Sequence, residues 1–201
     1  MMKAVLVRHG ETAYNAQGIF QGYSPVPLSE LGRRQATLVA ARLTALQPVV
    51  LYSSDIRRAQ ETAEIISQHL TLPVQPRAGL REWDVGTWVD KPVEEFDTHL
   101  QAVGGHVVSY VPEGGESQLQ TQQRMVAYMQ EMAAQHAGET IVCVSHGKAI
   151  DLLTRHVLGL DVMRTPAYSI TNTSVNIFSC QDGRWGVVTL NEVRHLETLE
   201  P

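Results

Sequence analysis

The sequence predicts an α/β fold, a single three-layer domain in which a mixed, mostly parallel sheet carries helices on both faces. Short apolar, β-branched runs alternate along the chain with longer segments of helical periodicity, as in a parallel sheet. Near the C-terminus two strand-like runs instead follow each other across Asp182-Gly183, a strong hairpin signal. The 201 residues contain no internal repeat and no long Pro/Gly/Ser linker, so we expect one domain spanning residues 1–201.

The N-terminal half contains two predicted strand–helix units. Residues 3–7 form a short, apolar, β-branched strand, and Ser29 offers an N-cap for the helix that follows. The second strand is predicted at residues 49–52, with Ser54 or Asp55 capping the second helix. Apolar residues recur at three- and four-residue steps in both helices, at Ala36, Val39, Ala40, Leu43 and Leu46 and then at Ala59, Ala63, Ile66 and Leu70.

The C-terminal half continues the alternation. Ser117 and Gln120 fit a capping box, and the helix that follows has methionines at helical spacing, which we interpret as core residues. A third strand is predicted at residues 140–144, a helix at about 148–158, and a closing hairpin from strands at 175–180 and 185–190. The methionines are Met125, Met129 and Met132.

Residues 84–116 have no clean period and are rich in Gly, Pro, His and Val. We interpret them as an irregular insertion that forms a substrate wall or lid. Aromatic side chains in and beside this segment suit either a stacking surface for a ligand or core packing. They are Trp83, Trp88, Phe96 and Tyr110.

The charge balance excludes some functions. Hydrophobic residues make up 43% and charged residues 18% of the chain, which excludes a disordered protein. The net charge is −5, without the basic surplus expected of a nucleic-acid-binding protein. Any anion that binds must therefore be held by a local cluster of positive groups.

Neither secretion nor membrane insertion is indicated by the sequence. The first apolar run ends at Arg8, too early for a signal-peptide core, and no stretch approaches 18 apolar residues. Cys143 and Cys180 lie in strand-like runs and are expected to be buried, reduced thiols. We therefore expect a cytoplasmic protein.

Three predicted strands run directly into polar or basic residues. The first is followed by Arg8-His9, the second leads to Arg58, and the third leads to His146. If these strands are parallel neighbours, the four side chains meet beyond the carboxyl ends of the strands, where ligands of α/β sheets bind. Two guanidiniums, two imidazoles and nearby helix N-termini suit a tetrahedral oxyanion such as phosphate.

These junctions belong to six motifs that occur in a fixed order over nearly the whole chain. They are residues 8–12 with Asn15; Gln21-Gly22, residues 27–29, Gly32 and residues 35–36; residues 54–59 with 62–63; residues 80–82 with Gly86 and Trp88; residues 115–117; and residues 144–147. Together they resemble the histidine phosphatase superfamily, the phosphoglycerate-mutase-like proteins. The resemblance implies the phosphoglycerate-mutase-like form of the α/β fold.

The resemblance implies roles for the basic residues. His9 would be the nucleophile that attacks phosphorus and carries a phosphohistidine intermediate. Arg8, Arg58 and His146 would bind the phosphoryl oxygens and stabilise the transition state, and Asn15 would assist. The residue types suit that chemistry, because an imidazole with a pKa of about 6.5 is largely uncharged at neutral pH.

The resemblance also implies an acid and several binding residues. Glu82 would protonate the leaving oxygen and later deprotonate the incoming water. Glu11 and Ser54 would orient the basic groups. The remaining predicted binding residues are Gln21, Gly22 and Asn172.

Metals usually supply the charge stabilisation that phosphoryl transfer needs, and here the arginines and His146 would supply it instead. We therefore expect a metal-independent phosphatase without a cofactor, hydrolysing small phosphomonoesters through His9. Candidate substrates are sugar phosphates, phosphoglycerate-like acids, nucleotides and α-ribazole phosphate. The sequence predicts neither the choice among them nor the oligomeric state.

Two departures from the family pattern concern the substrate wall. Pro25 stands where many relatives have aspartate, and Val89-Asp90 replaces a common Glu-Gly pair.

Two alternative functions would use the same predicted pocket. A cofactor-dependent phosphoglycerate mutase would have more basic residues than Lys91, the one Lys or Arg at 84–116. A non-catalytic phospho-ligand-binding module would have lost His9 or Glu82.

Overall fold

The computed structural model describes residues 1–164 and 168–199, and six of their segments form one sheet. The strands are β1 (Met2–Arg8), β2 (Val50–Ser53), β3 (Val74–Pro76), β4 (Thr140–Ser145), β5 (Val175–Gln181) and β6 (Arg184–Glu192). Their order is β3-β2-β4-β1-β5-β6. The first four of these strands are parallel neighbours, whereas β5 pairs antiparallel with both β1 and β6. The mixed, mostly parallel sheet is therefore confirmed.

Helices cover both faces of the sheet. They are α1 (Ala13–Gln17), α2 (Glu30–Thr44), α3 (Arg57–Leu70), α4 (Val93–Ala102), α5 (Gln118–Gln135) and α6 (Gly147–Leu158), with 3-10 turns at Ala78–Leu80, Gly86–Trp88 and Arg194–Leu196. On one face α2 and α3 bury Leu43 and Ile66 against Val5. On the other, α5 and α6 bury Met129 and Leu153 against the alternate strand residues. The three-layer α/β domain is thus confirmed.

Several local predictions are confirmed. The Ser29 hydroxyl accepts the N–H of Gly32 at 3.0 Å and caps α2. Ser117 and Gln120 form the expected reciprocal capping box at the start of α5. The three methionines of α5 are buried in the core. The hairpin forms between β5 and β6, where Asp182 and Gly183 both have positive φ.

The predicted cap of the second helix is wrong. That helix, α3, follows Ile56, which has no capping side chain. The Ser54 hydroxyl instead lies 2.8 Å from the imidazole of His146, and the Asp55 carboxylate pairs with Arg81. Both side chains have stronger partners than the helix terminus, because those partners are charged or buried.

Residues 84–116 are not irregular throughout. They contain a 3-10 turn and the helix α4, whose buried residues are Phe96 and Leu100. Phe96 is the centre of a small third hydrophobic cluster, with edge-on aromatic rings around it at 5.0–5.7 Å between centroids. Those rings are Phe20, Trp83, Trp88 and Tyr110. Core packing thus accounts for most of the aromatic surface of these side chains.

Cys143 and Cys180 are buried and free, as predicted. Burial raises the pKa of the Cys143 thiol well above its ordinary value, so the thiol is protonated. Within residues 1–164 and 168–199, no helix has the length and apolar character needed to span a membrane.

The order of the strands brings the predicted site residues together. β4 lies between β1 and β2, with Arg8 in register with Ser145 and Ser53 with Val144. All three strands therefore end at the same edge. Gly32 in the first turn of α2 packs directly on the backbone of Glu11, where a Cβ atom would overlap the carbonyl. This close approach fixes the loop that follows His9.

Candidate active site

His9 follows β1 directly, and its side chain is held in one tautomer. The ring is 2% exposed, and its Nδ1 lies 2.7 Å from the carbonyl oxygen of Gly10. A carbonyl oxygen only accepts, so Nδ1 carries the proton and Nε2 the lone pair. Arg58 Nε donates to that lone pair at 3.1 Å. The backbone beside the ring is fixed by the Gly10 N–H, which donates to Thr62 Oγ1 at 3.0 Å.

Arg58, in the first turn of α3, is the largest fully buried side chain. Besides His9, its guanidinium donates to the carbonyl oxygens of Gly22 at 2.9 Å and Ser24 at 3.4 Å. Burial lowers the pKa of Arg58 to about 10, with Glu82 opposing this shift. The group therefore remains cationic at neutral pH, with its charge turned towards His9.

Arg8, the last residue of β1, supplies a second cation. Its Nη1 donates to the carbonyl of Ile170 at 2.6 Å. Its Nε is buried without a hydrogen-bond partner among the described residues, beside Gly147, where a Cβ would lie 3.2 Å from this atom. Burial lowers the pKa of Arg8 and the charge of Glu82 opposes it. An unpaired guanidinium N–H at this place is available to an anion.

His146 is the N-cap residue of α6 and is fully buried. Its Nε2 lies 2.8 Å from Ser54 Oγ, and its ring centroid is 5.2 Å from that of His9. Nδ1 is buried without a partner in the described part of the chain. Burial, followed by the charge of Arg58, lowers the pKa values of both His9 and His146 well below the ordinary value. Both rings are therefore neutral at pH 7.

Glu82 lies against the N-terminus of α6. Its Oε1 accepts the main-chain N–H groups of Trp83 and Ala149, both at 3.0 Å, and its Oε2 accepts that of Lys148 at 3.2 Å. The carboxylate therefore caps a helix while facing Arg8 and the cavity.

Arg124, from α5, fixes the segment that carries Glu82. Its guanidinium donates to the carbonyl oxygens of Gly79, Arg81 and Glu82 and pairs with the carboxylate of Glu116. Sequence reasoning missed this residue, because Arg124 lies 42 positions from Glu82 and outside the matched motifs.

The loop of residues 171–174 contacts the main chain of His9 and so supports its position. Asn172 Nδ2 donates to the carbonyl oxygen of His9 at 2.9 Å and to Asn15 Oδ1 at 3.3 Å. Thr173 has a φ of 57°, and its N–H donates to the carbonyl oxygens of Arg8 at 3.0 Å and His9 at 3.3 Å. A β-branched residue rarely adopts positive φ, so the loop holds Thr173 in a strained conformation.

Contrary to the expectation that Glu11 orients a basic group, its described hydrogen bonds are with uncharged residues. Its carboxylate accepts the Ser29 hydroxyl at 3.0 Å, and its N–H donates to Gln35 Oε1 at 2.9 Å. It thus joins the His9 loop to α2. Ser54, in contrast, contacts His146 as expected. Another missed contact links the loops, where Thr12 Oγ1 donates to Gln21 Oε1 at 2.9 Å.

A cavity of about 160 Å³ lies where these residues meet. Seven predicted residues line it, namely Arg8, His9, Asn15, Gln21, Gly22, Arg58 and Glu82. His146 and Asn172 do not line it but contact the surrounding network. Missed lining residues include Trp83 and Lys148. A cavity of about 490 Å³ at the other end of the sheet, beside Met2 and Trp185, contains none of the predicted residues.

Across residues 1–164 and 168–199, no group of three His, Cys, Asp or Glu residues is arranged to hold a metal ion. The charges facing the cavity come from Arg8, Arg58, Glu82 and Lys148. Two cations beside an unprotonated imidazole nitrogen can bind a phosphoryl group and present it to a nucleophile.

Comparisons with known proteins find relatives that match nearly the whole chain. A metal-independent phosphoserine phosphatase from Arabidopsis thaliana is 32% identical over 202 residues, covering 97% of this chain and 83% of that protein. A probable phosphoglycerate mutase, GpmB, from Yersinia pestis is 36% identical over 192 residues, covering 92% and 88%. The crystal structure of an Entamoeba histolytica phosphoserine phosphatase with 3-phosphoglyceric acid superposes with a TM-score of 0.87 at 28% identity, covering 98% and 100%.

The family assignment rests on nearly the full length of the chain. The model of the histidine phosphatase superfamily, branch 1, matches residues 4–193, which include every predicted site residue. The chain therefore belongs to the histidine phosphatase superfamily (branch 1).

Proposed function

We propose that the protein hydrolyses small phosphomonoesters, with His9 as the nucleophile and without a metal ion. The observation that carries this proposal is the state of His9 Nε2, an unprotonated nitrogen beside a cavity with two arginines around it. An imidazole whose Nδ1–H is anchored presents Nε2 as a neutral nucleophile.

Binding of the phosphoryl group uses the arginines. Arg58 moves its Nε–H bond from His9 to a phosphoryl oxygen, and Arg8 offers its unpaired Nε–H to another. In the tautomer with its proton on Nδ1, His146 accepts the Ser54 hydroxyl at Nε2 and offers the Nδ1–H to a third oxygen. Because the surrounding structure holds these donors in place, they stabilise the transition state with little reorganisation.

The reaction then proceeds in two displacements. The substrate binds as its monoanion, and the Glu82 carboxylate takes up the phosphate proton. Nε2 of His9 then attacks phosphorus, the bond to the ester oxygen breaks, and Glu82 passes that proton to the ester oxygen. In the second step Glu82 takes a proton from water, the hydroxide forms a bond to phosphorus, and the P–N bond breaks. Inorganic phosphate takes the proton from Glu82 and leaves, and His9 and Glu82 return to their initial states.

The substrate is a small phosphorylated metabolite. The Arabidopsis relative is named for phosphoserine, and the Entamoeba structure holds 3-phosphoglyceric acid. A mutase function is the alternative, because the Yersinia relative is named a probable phosphoglycerate mutase. Buried, free cysteines support a cytoplasmic location.

The deciding experiment measures phosphate release from para-nitrophenyl phosphate and phosphoserine in excess EDTA. Native protein is compared with His9→Asn, in which the asparagine amide retains a donor near Gly10. We expect full activity with EDTA and none in the variant. With ³²P-labelled phosphoserine, native protein should retain label after a rapid alkaline detergent quench and lose it in acid, because the P–N bond of phosphohistidine is acid-labile. The mutase alternative predicts conversion of 3-phosphoglycerate to 2-phosphoglycerate, with trace 2,3-bisphosphoglycerate, and little phosphate release. Activity lost with EDTA would overturn the metal-free mechanism.

A further inference from the structure

The cavity proposed to hold the phosphoryl group lies beside a second one. At about 160 Å³ the first is smaller than the roughly 300–1,000 Å³ of common ligand pockets. A neighbouring cavity of about 330 Å³ shares three of its lining residues, Arg8, Glu82 and Lys148. Since Glu82 is the proposed proton donor to the ester oxygen and lines both cavities, a leaving group bound there would extend past it towards the second cavity.

Lys148 is the cation between the two cavities. Of the three cationic residues that line the smaller cavity, Arg58 is buried and Arg8 is partly buried at the end of β1. The Lys148 side chain is 35% exposed and lies in the first turn of α6. It is therefore placed to contact the leaving group, whereas the arginines contact the phosphoryl group.

The position of Lys148 is unfavourable for the helix itself. A cation in the first turn opposes the helix dipole, at a cost of roughly 0.3–1 kcal/mol for an exposed group. Helix stability therefore does not explain why a lysine stands here, and the one ion pair that its side chain makes among the described residues hardly does. Asp151 Oδ2 lies 3.3 Å from Lys148 Nζ, but that carboxylate already pairs with Arg155 through two bonds at 2.9–3.0 Å and accepts the Tyr168 hydroxyl at 3.0 Å.

We propose that Lys148 binds a carboxylate on the leaving group, so that the preferred substrates are phosphate esters of short hydroxy acids. This inference rests on the proposed function and specifies its substrate class. The carboxylate would lie at the opening between the cavities, on the side of Lys148 away from Asp151. The negative charge of the carboxylate would offset the positive charge of Lys148, which Asp151 neutralises only in part.

A carboxylate fits this place better than a second phosphate. Phosphate groups are best held by the planar fork of arginine and by several cations, because they carry up to two charges. The second cavity offers one lysine besides Arg8, and it also contains the carboxylates of Glu82 and Asp151. A neutral leaving group would gain nothing from Lys148.

The test compares two substrates of nearly equal shape, 3-phosphoglycerate and the glycerol phosphate of the same configuration, in which a hydroxymethyl group replaces the carboxylate. We expect native protein to favour 3-phosphoglycerate by about tenfold in kcat/KM, mostly through KM. Lys148→Gln should bring the ratio near one, and Lys148→Arg should restore most of it. Lys91→Gln is the matched control, since Lys91 lies over the Trp88 ring and lines neither cavity; it should keep the native ratio.

Binding to His9→Asn, measured calorimetrically with the same two compounds, makes the inference independent of turnover. If neither compound nor para-nitrophenyl phosphate is hydrolysed, the proposed function fails, while the binding ratio with and without Lys148→Gln still decides the role of the lysine. Hydrolysis of all three compounds with an unchanged ratio in Lys148→Gln would overturn this inference alone. A lower melting temperature in Lys148→Gln would also contradict it, since it would show that the lysine stabilises the fold.

Discussion

The guanidinium Nε of Arg58 lies 3.1 Å from Nε2 of His9, inside a network in which both side chains are almost fully buried. Nε2 cannot bind a proton while it accepts this bond, so Arg58 keeps the imidazole neutral before substrate arrives. The same N–H is then available to a phosphoryl oxygen at the moment when Nε2 begins to attack. One arginine thus prepares the nucleophile and afterwards stabilises the charge that develops on the substrate.

Replacing Arg58 by lysine tests this double role. Lysine keeps the charge but cannot contact His9, Gly22 and Ser24 at once, so we expect kcat to fall about 100-fold or more. Arg57→Lys is the control, because Arg57 is its neighbour in α3, is exposed, and pairs with Glu61 at the surface. That change should alter kcat by less than about twofold. Equal effects of the two substitutions would show that the guanidinium of Arg58 has no special role.

The buried histidines predict how stability depends on pH. Burial lowers the pKa values of His9 and His146 below the value of about 6.5 that they regain on unfolding. Below that pH the unfolded chain takes up protons that the folded chain does not, so stability is full above about pH 6.5 and falls on acidification. Each histidine contributes a slope of up to about 1.4 kcal/mol per pH unit in this window.

Urea unfolding between pH 5 and 8 measures that slope. His9→Asn and His146→Gln should each make it shallower, because each removes one proton-binding group from the difference. His69→Gln replaces an exposed histidine of α3 and is expected to retain the native slope. A native slope in both active-site variants would contradict the neutral state of the buried rings.

Glu82→Gln separates proton donation from binding. Glutamine can still accept N–H bonds from α6 but cannot protonate an ester oxygen. We expect kcat for phosphoserine to fall about 10²- to 10⁴-fold, the usual value of general acid catalysis. Formation of the phosphoenzyme from para-nitrophenyl phosphate should change much less, because nitrophenolate leaves without a proton. Burst kinetics with both substrates checks this, and equal losses would exclude Glu82 as the acid.

The residues at the strand ends could be predicted from the sequence because a parallel sheet gathers them. A polar residue that directly follows a buried parallel strand lies at the carboxyl edge of the sheet, so the sequence predicts Arg8 and His9 at the same edge as His146. Glu82 is predicted only by the resemblance to the family motifs, because no helix or strand pattern in the sequence points to it. The wrong cap at Ser54 has a physical cause as well, since its hydroxyl contacts His146, 92 positions away.

The position of Glu82, the helix α4 and the strand β3 depend on features that the pattern of residue types along the chain does not reveal. Glu82 is held by main-chain N–H groups of α6, which any residue type would offer. The helix α4 buries only Phe96 and Leu100, against side chains from other segments. Two apolar positions are too few to predict a helix from the sequence. The strand β3 has three residues and ends at Pro76, below the length at which alternation is visible.

The strained Thr173 implies a conflict between durability and turnover. Glycine or asparagine would adopt its positive φ more easily, so a selection for thermal tolerance alone would favour replacing it. Yet Thr173 is also the residue whose main chain ties the carbonyls of Arg8 and His9 to the loop behind them. A more relaxed residue would allow that loop more freedom, and variants that survive heating best should include some that have become slow catalysts.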